Sequence, residues 1–443
     1  MLQSRRQFVV TAGSAALTAM SPVPLLGTNR RRKPNIVIIL ADDLGYGDVG
    51  CYGSKRFKTP NMDALAADGI RFTDFHSNGA VCSPTRAALL TGQYQQRTGI
   101  TGVVTARGHR HTGLDLQETT FAEVAKTKGY STALFGKWHL GYNPHYNPTH
   151  QGFDEFIGYV SGNVDYHAHI DQTGREDWWK QDELSPEKGY TTDLITDHGV
   201  DFIQRNKNKP FLLYLSHEAP HYPYQGRKDP PRYIPGKGKT KDPVRPEVYK
   251  EMIEVMDESV GRIRQAIVDA GIGEKTFIFF FSDNGPAGPG SAGPLRGKKG
   301  QIWEGGHRVP AIACWPGKIE AGRVSKLPAM GADILPTVTA MIGAASHEKG
   351  KVDGMNLLPH LIENKQPAPR FLFWGVKNQL AIRQGDYKLI TDTSFSEPAL
   401  YNLKVDLGEK DDIAMQHPDL VQQLVDVLKT WHEEVNRDVK IRA

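Results

Sequence analysis

The sequence predicts an α/β fold: a large mixed, mainly parallel sheet sandwiched by helices, joined to a small C-terminal antiparallel sheet plus helix. Three observations predict it. Uninterrupted apolar runs at Ile36-Val37-Ile38-Ile39-Leu40, Phe211-Leu212-Leu213-Tyr214-Leu215 and Phe277-Ile278-Phe279-Phe280-Phe281 are the pattern of strands covered on both faces. Stretches of helical period lie between these runs, and 45 Gly and 28 Pro supply loops. After about Glu363 the apolar runs shorten and polar turns separate them, the mark of an antiparallel sheet.

With 443 residues the chain is long enough for a large core and a smaller one. The expected division is a leader and basic linker over 1–33, a large α/β domain over 34–363 and a small α+β subdomain over 364–443. Ser4-Arg5-Arg6-Gln7-Phe8-Val9 matches the twin-arginine export pattern and is followed by an uncharged stretch from Phe8 to Gly27. Pro22, Pro24 and the small polar residues there make a poor membrane helix, which wants about 20 strongly apolar residues. Export through the twin-arginine machinery to the periplasm or the outside of a bacterium is therefore expected. A retained N-terminal anchor is the lesser alternative, since no tidy cleavage site stands near Ala19.

Lys and Arg total 54 against 50 Asp and Glu, a net charge of +4. Arg5, Arg6, Arg30, Arg31, Arg32 and Lys33 account for that excess, and no acidic residue precedes Asp42. The rest of the chain is near neutral, so no nucleic-acid partner is indicated; Arg30 to Lys33 reads as a solvated linker. Cys51, Cys82 and Cys314 make no disulfide framework, and Cys51 and Cys314 are expected as buried free thiols.

The elements follow in order. Folded structure is expected to start near Pro34 with the first apolar run. Between Asn163 and Gly189 lies an aromatic and polar insertion with Tyr166, His167, His169, Trp178 and Trp179. It serves either to stack sugar faces or as a loop anchored by ordinary aromatic packing. Leu194, Ile195, Val200 and Phe202 mark a helix before the second run, and Gln225 to Arg245, rich in Pro, Gly and Lys, reads as a surface loop. Met252, Val255, Met256, Val260, Ile263 and Ile267 recur at helical spacing, with Gly271 as the stop. Phe371–Trp374, Gln379–Arg383, Tyr387–Ile390 and Leu400–Leu403 read as short strands, closed by an amphipathic helix over Leu420–Val435.

Each buried run ends in polar residues: Asp42-Asp43, Ser216-His217 leading to His221, and Asp283-Asn284. Parallel sheets hold their ligands beyond the carboxyl ends of the strands, so these clusters can converge in one crevice. Asp42, Asp43, Asp283 and Asn284 supply oxygen ligands with no thiol or imidazole between them, which suits a hard divalent cation, Ca²⁺ or Mg²⁺, more than zinc. Either pair alone reads as a turn. Two such pairs after two buried strands point to a metal.

Further motifs complete the set. Cys82-Ser83-Pro84-Thr85-Arg86 opens a short apolar helix; alone, Cys82 would pass for an inert buried thiol. Gly136-Lys137-Trp138-His139-Leu140-Gly141 sets a cation and an imidazole two residues apart, which in an extended segment puts both on one face. His217-Glu218-Ala219-Pro220-His221-Tyr222-Pro223 offers two histidines, and Lys298-Lys299 precedes Trp303-Glu304-Gly305-Gly306.

Together these motifs resemble the type I sulfatases of the alkaline phosphatase superfamily, such as arylsulfatases and N-acetylgalactosamine-6-sulfatases, over nearly all of the mature chain. The resemblance implies hydrolysis of sulfate monoesters, with Cys82 converted to formylglycine by a formylglycine-generating or equivalent maturation enzyme. A hydrated aldehyde offers two hydroxyls on one carbon, one to attack sulfur and one to drive the sulfate out. It implies calcium, with Mg²⁺ the lesser alternative, at Asp42, Asp43, Asp283 and Asn284 together with residue 82, with Asp283 helping to deprotonate the hydrate and Arg86 steadying it. Lys137, His221 and Lys299 would bind substrate and offset or transfer charge, and His139 would accept the proton as sulfate leaves. His221 aligns with the substrate histidine and leaves His217 a supporting role; counting back from Glu304 favours Lys299 over Lys298. Thr85 and Gln93 depart from the commonest motif, where Ser and a basic residue are more usual. Export and the aromatic insertion suggest sulfated polysaccharide or oligosaccharide as substrate. The rivals are a phosphodiesterase or phosphonate monoester hydrolase of the same superfamily, and a non-catalytic glycan-binding protein that keeps Cys82 unmodified.

Overall fold

In the computed structural model the described residues are 33–239, 244–345, 351–437 and 439–443. The twin-arginine segment and most of the basic linker lie outside them. A ten-stranded sheet organises the chain. From one edge to the other its strands are Arg323–Ser325, Ile70–Phe72, Ala311–Cys314, Thr276–Ser282, Asn35–Ala41, Phe211–Ser216, Ser131–Lys137, Glu155–Tyr159, Trp179–Lys180 and Glu183–Leu184. The three apolar runs of the sequence are adjacent, with Asn35–Ala41 between the other two and parallel to both. Register brings their ends level: Leu40 pairs with Ser216 and Phe281, Ala41 with Ser282, and Gly136 with Ser216. Level ends are what allow residues 42, 137, 216 and 283 to meet.

Alternation divides these strands between two cores. Val37, Ile39, Leu213, Leu215, Ile278 and Phe280 face one layer, which includes the helices Thr191–Asn206 and Pro246–Asp269. Ile36, Ile38, Leu40, Leu212, Tyr214 and Phe281 face the other, where the helices Cys82–Thr91, Phe121–Thr127 and Ile334–Met341 pack. Phe281 is fully buried in the second core, so Phe281→Ala would cost about 3–5 kcal/mol. The helix marked by Met252 to Ile267 begins earlier than its apolar stripe, at Pro246, where proline's fixed φ suits a first turn. It ends before Gly271, at φ +65°.

The C-terminal strands Phe371–Val376, Gln379–Gln384, Tyr387–Asp392 and Ala399–Asn402 form a four-stranded antiparallel sheet. The helix Pro418–Asn436 covers it with Leu424, Val425, Leu428, Trp431 and Val435, and Trp431 stacks on Phe373 at 4.7 Å. This sheet has its own apolar cluster, yet residues 33–443 make one compact unit. Buried ion pairs help to tie it in. Arg383 clamps Asp74 at 2.7 and 2.6 Å, and Lys388 lies 3.0 Å from Glu304 and 2.8 Å from Glu409. His76, His307 and Glu304 form a second group of metal-type ligands, but the Lys388 ammonium reaches both Glu304 and, at 3.2 Å, His307 Nε2. That cluster is an internal ion network.

Cys51 and Cys314 are free thiols; Cys314 is buried as expected, whereas Cys51 is only half-buried. In the aromatic insertion, packing takes up two of the large rings. Tyr166 is buried against Tyr190 and Trp178 against His169, so neither presents a face for a sugar.

Candidate active site

The first strand ends at Ala41, and the two acidic residues after it leave in different directions. Asp42 N–H donates to Ala219 O at 3.1 Å, and Asp43 takes a left-handed φ of +65°, which a short polar side chain tolerates. Leu44 N–H then donates to Ser282 Oγ at 3.0 Å, locking this turn to the neighbouring strand end. Asp43 N–H donates to Asp283 Oδ1 at 3.2 Å and Asn284 Nδ2 to Asp43 Oδ1 at 2.8 Å. Both predicted oxygen pairs thus belong to one buried cluster.

Cys82 is the first residue of a ten-residue helix whose residues are all buried. Its Sγ lies 3.5 Å from Asp42 Oδ1 and 3.3 Å from Lys299 Nζ. One turn along, Arg86 is 1% exposed. Its Nε and Nη2 donate to Asp283 Oδ2 at 3.2 and 2.8 Å, and its Nη1 to Ser216 Oγ at 2.5 Å and Lys137 O at 3.2 Å. Ser216 stands at a strand end already marked as polar, but sequence alone did not identify it as Arg86's partner. The two departures from the commonest motif keep clear roles: Thr85 Oγ1 exchanges hydrogen bonds with both backbone groups of Gly79, and Gln93 donates to Glu118 at 2.7 Å.

Lys137 and His139 both reach the site, though not by strand alternation. The strand stops at Lys137, whose ammonium binds Asp42 Oδ2; His139 follows it with a left-handed φ of +58°. The correction lies in the backbone turn, which no two-residue spacing reveals. Val104 O can only accept, so at 3.0 Å it fixes the proton of His139 on Nε2. Nδ1 is left as a buried lone pair without a partner among the described residues. His221 donates from Nδ1 to Tyr222 O at 2.6 Å, and its Nε2 stands 3.6 Å from Asp43 Oδ2. His217 is buried elsewhere, with Nε2 3.1 Å from Ser259 Oγ. Lys299 binds Asp43 Oδ1 at 2.5 Å, while its neighbour Lys298 is exposed.

The charges are mutually dependent. Burial raises Asp42 and Asp43, but Lys137 acting on Asp42, Lys299 acting on Asp43 and His221 acting on both outweigh it, holding both carboxyls below their usual range. Asp283 is pushed up by burial and by Asp42, against the pull of Arg86. Burial, helped by Asp42, lifts the Cys82 thiol to about 12. His139 is held well below the usual imidazole value by burial and then by Lys137 and Arg86, so it stays neutral. His221 is lowered by burial, with Asp42 and Asp43 opposing. The donor set fits a hard cation. Its oxygens come from Asp42, Asp43, Asp283 and Asn284, whose Oδ1 is a buried acceptor with no partner among the described residues, and the Cys82 sulfur and a His221 ring nitrogen lie within 4.8 Å of the Asp42 and Asp43 oxygens.

Above the cluster opens a cavity of about 710 Å³, lined by Cys82, His139, His221 and Lys299 within and by Arg107 and Lys239 further out. That volume suits a sugar-sized ligand and exceeds the needs of a sulfate alone. Its aromatic members are Tyr142 and Tyr222, not the residues of the aromatic insertion, which instead contributes Gln172 and Thr173.

A crevice at level strand ends, with an acidic cluster, a motif cysteine and converging cations, is the site of a hydrolase acting on an anionic ester. The Sulfatase family model matches residues 34–344, and the chain belongs to that family. It is a sulfuric ester hydrolase. It is similar to the N-acetylgalactosamine-6-sulfatase of Mus musculus, at 33% identity over 404 residues, covering 85% of this chain and 76% of the relative. Arylsulfatase A of Homo sapiens is 36% identical over 398 residues, covering 81% and 74%. Among solved structures, that of Ps i-CgsB in complex with k-i-k-neocarrahexaose aligns with a TM-score of 0.82 and 30% identity, over 93% of this chain and 94% of the other.

Proposed function

We propose that this enzyme removes sulfate from sulfated carbohydrate, using formylglycine made from Cys82 and a calcium ion held by Asp42, Asp43, Asp283 and Asn284. The observation that carries the reading is the setting of Cys82: it touches Asp42 and Lys299 at the floor of a sugar-sized cavity, where its thiol is pushed up to about 12. A thiol so protonated is a poor nucleophile at neutral pH. A formylglycine hydrate there supplies two hydroxyls on one carbon, and calcium supplies positive charge to the sulfuryl oxygens.

The chain's own groups do the rest. Lys137 and Lys299, anchored on Asp42 and Asp43, hold the sulfuryl group and offset its charge. Arg86 orients Asp283 and keeps residue 82 against the carboxylates. The departing alcohol takes its proton from Lys299, whose ammonium lies 3.3 Å from the residue 82 sulfur, or from His221 once its Nε2, 3.6 Å from Asp43 Oδ2, is protonated, and the free Nδ1 of His139 takes a proton as sulfate is expelled. The glycan-acting names of the relatives, N-acetylgalactosamine-6-sulfatase and a neocarrahexaose complex, support carbohydrate as the substrate class. Export through the twin-arginine route and maturation by a formylglycine-generating enzyme belong to the same proposal. Among the described residues no helix is long and apolar enough to cross a membrane.

The test compares turnover of sulfate monoesters, carbohydrate and simple aryl, with that of a phosphate diester across pH. Sulfated sugars should be the best substrates. Faster diester cleavage at every pH overturns the reaction assigned, and preference for small aryl sulfates overturns the carbohydrate.

A further inference from the structure

We propose that the cavity takes substrates with a second anionic group, a sulfate or a carboxylate beside the ester that is cleaved, held by Arg107, Lys237 and Lys239. The inference rests on the sulfatase reading and narrows its substrate to glycans bearing at least two anions.

The cavity lining contains Lys299, Arg107, Lys237 and Lys239 but no Asp or Glu. Lys299 is committed to Asp43 and the Cys82 sulfur at the floor. The other three are exposed and come from two separate loops. Among the described residues none of the three has a carboxylate partner. Lys239 instead places its ammonium 3.9 Å from the ring centroid of Tyr222, the residue that follows His221. Nearby basic residues outside the lining are matched: Arg110 with Asp171 at 3.3 Å, Arg245 with Asp229 at 2.5 Å, and Arg227 with Asp193 at 2.8 Å. The cavity side thus holds three cations that no carboxylate of the lining faces.

The lysines also sit on a positioned turn. Lys239 N–H donates to Gln172 O at 3.1 Å and Gly236 N–H to Gly174 O at 2.9 Å. A Cβ on Gly174, at φ +88°, would come 2.6 Å from the backbone nitrogens of Lys237 and Gly238, so the turn packs directly on the segment that supplies Gln172 and Thr173 to the lining. Two neighbouring cations held at the mouth of a carboxylate-free cavity form a station for an anion that the reacting group leaves unused.

The experiment measures kcat/KM of the full-length, matured enzyme on galactose- and N-acetylgalactosamine-based oligosaccharides. Each carries one sulfate, two sulfates, or one sulfate and one uronate carboxylate. The wild type should prefer dianionic substrates by about tenfold, chiefly through KM, and rising salt should erode that preference because exposed charges are screened. The Lys237→Gln/Lys239→Gln variant should lose the preference while its turnover of monosulfated sugar stays within about twofold. The two-sulfate and uronate arms show which anion the station takes. Equal wild-type turnover of mono- and dianionic substrates, or an equal loss on both in the variant, overturns this inference alone. No turnover of any sulfate ester overturns the sulfatase reading and this inference with it.

Discussion

Replacing Arg86 by Met probes how the buried charges are held. The side chain is 1% exposed and surrounded by acceptors, giving two hydrogen bonds to Asp283 Oδ2 and one each to Ser216 Oγ and Lys137 O. Its Nη2 also lies 3.7 Å from Asp42 Oδ2. Removing one partner of a buried ion pair costs about 3–5 kcal/mol, because the other charge stays behind unpaired. The orphaned Lys137 carbonyl adds about 1–3 kcal/mol, partly offset by the apolar packing of Met in a similar volume. A loss of about 4–6 kcal/mol is expected from equilibrium urea unfolding in chelator, read by tryptophan fluorescence. If calcium binds these carboxylates as proposed, adding it should recover part of the loss. Arg86→Lys keeps the charge but not the planar fork and should lose about half as much. A Met variant within 1 kcal/mol of wild type in chelator would refute the claim that Arg86 neutralises Asp283 and Asp42.

Further expectations concern proton transfer and the C-terminal sheet. His139→Asn should lower kcat by about 10²–10³ with little change in KM or melting temperature, because it removes the free Nδ1 and not a substrate contact; an unchanged kcat would exclude His139 as the base. Asp74→Asn breaks the clamp with Arg383 and should cost about 3–5 kcal/mol at pH 7. Burial raises Asp74, yet Arg308, His76 and Arg383 hold its folded carboxyl below the unfolded value of about 3.9. Its contribution is therefore full above about pH 4 and is lost as pH falls through the lower folded value. The stability gap between wild type and Asp74→Asn should shrink on acidification, and a gap independent of pH would contradict that assignment.

Much of this architecture was legible because its signals are local. Doubly buried strands need unbroken apolar runs, so Ile36–Leu40, Phe211–Leu215 and Phe277–Phe281 announced the sheet, and the polar residues after them announced the crevice. The oxygen pairs and the Cys82-to-Arg86 motif lie within single turns and could be read in the same way. What escaped depends on backbone conformation or on distant contact. The left-handed turns at Asp43 and His139 leave no composition mark, and Ser216 matters only because Arg86 arrives from another layer. Tyr166 and Trp178 satisfied the composition of a sugar platform while their rings were consumed by Tyr190 and His169. Lys237 and Lys239 lay inside a stretch read only as a surface loop, because nothing in their sequence says that the loop folds back over the cavity.

The central claim is that residue 82 acts as an aldehyde hydrate and not as a thiol. The direct measurement is the mass of the peptide spanning Cys82 from active enzyme produced in its native host, with trapping by an aldehyde-specific hydrazide. The account predicts a peptide that has lost the sulfur and carries the hydrazone, in proportion to specific activity. Fully active protein with an intact thiol at position 82 would contradict it.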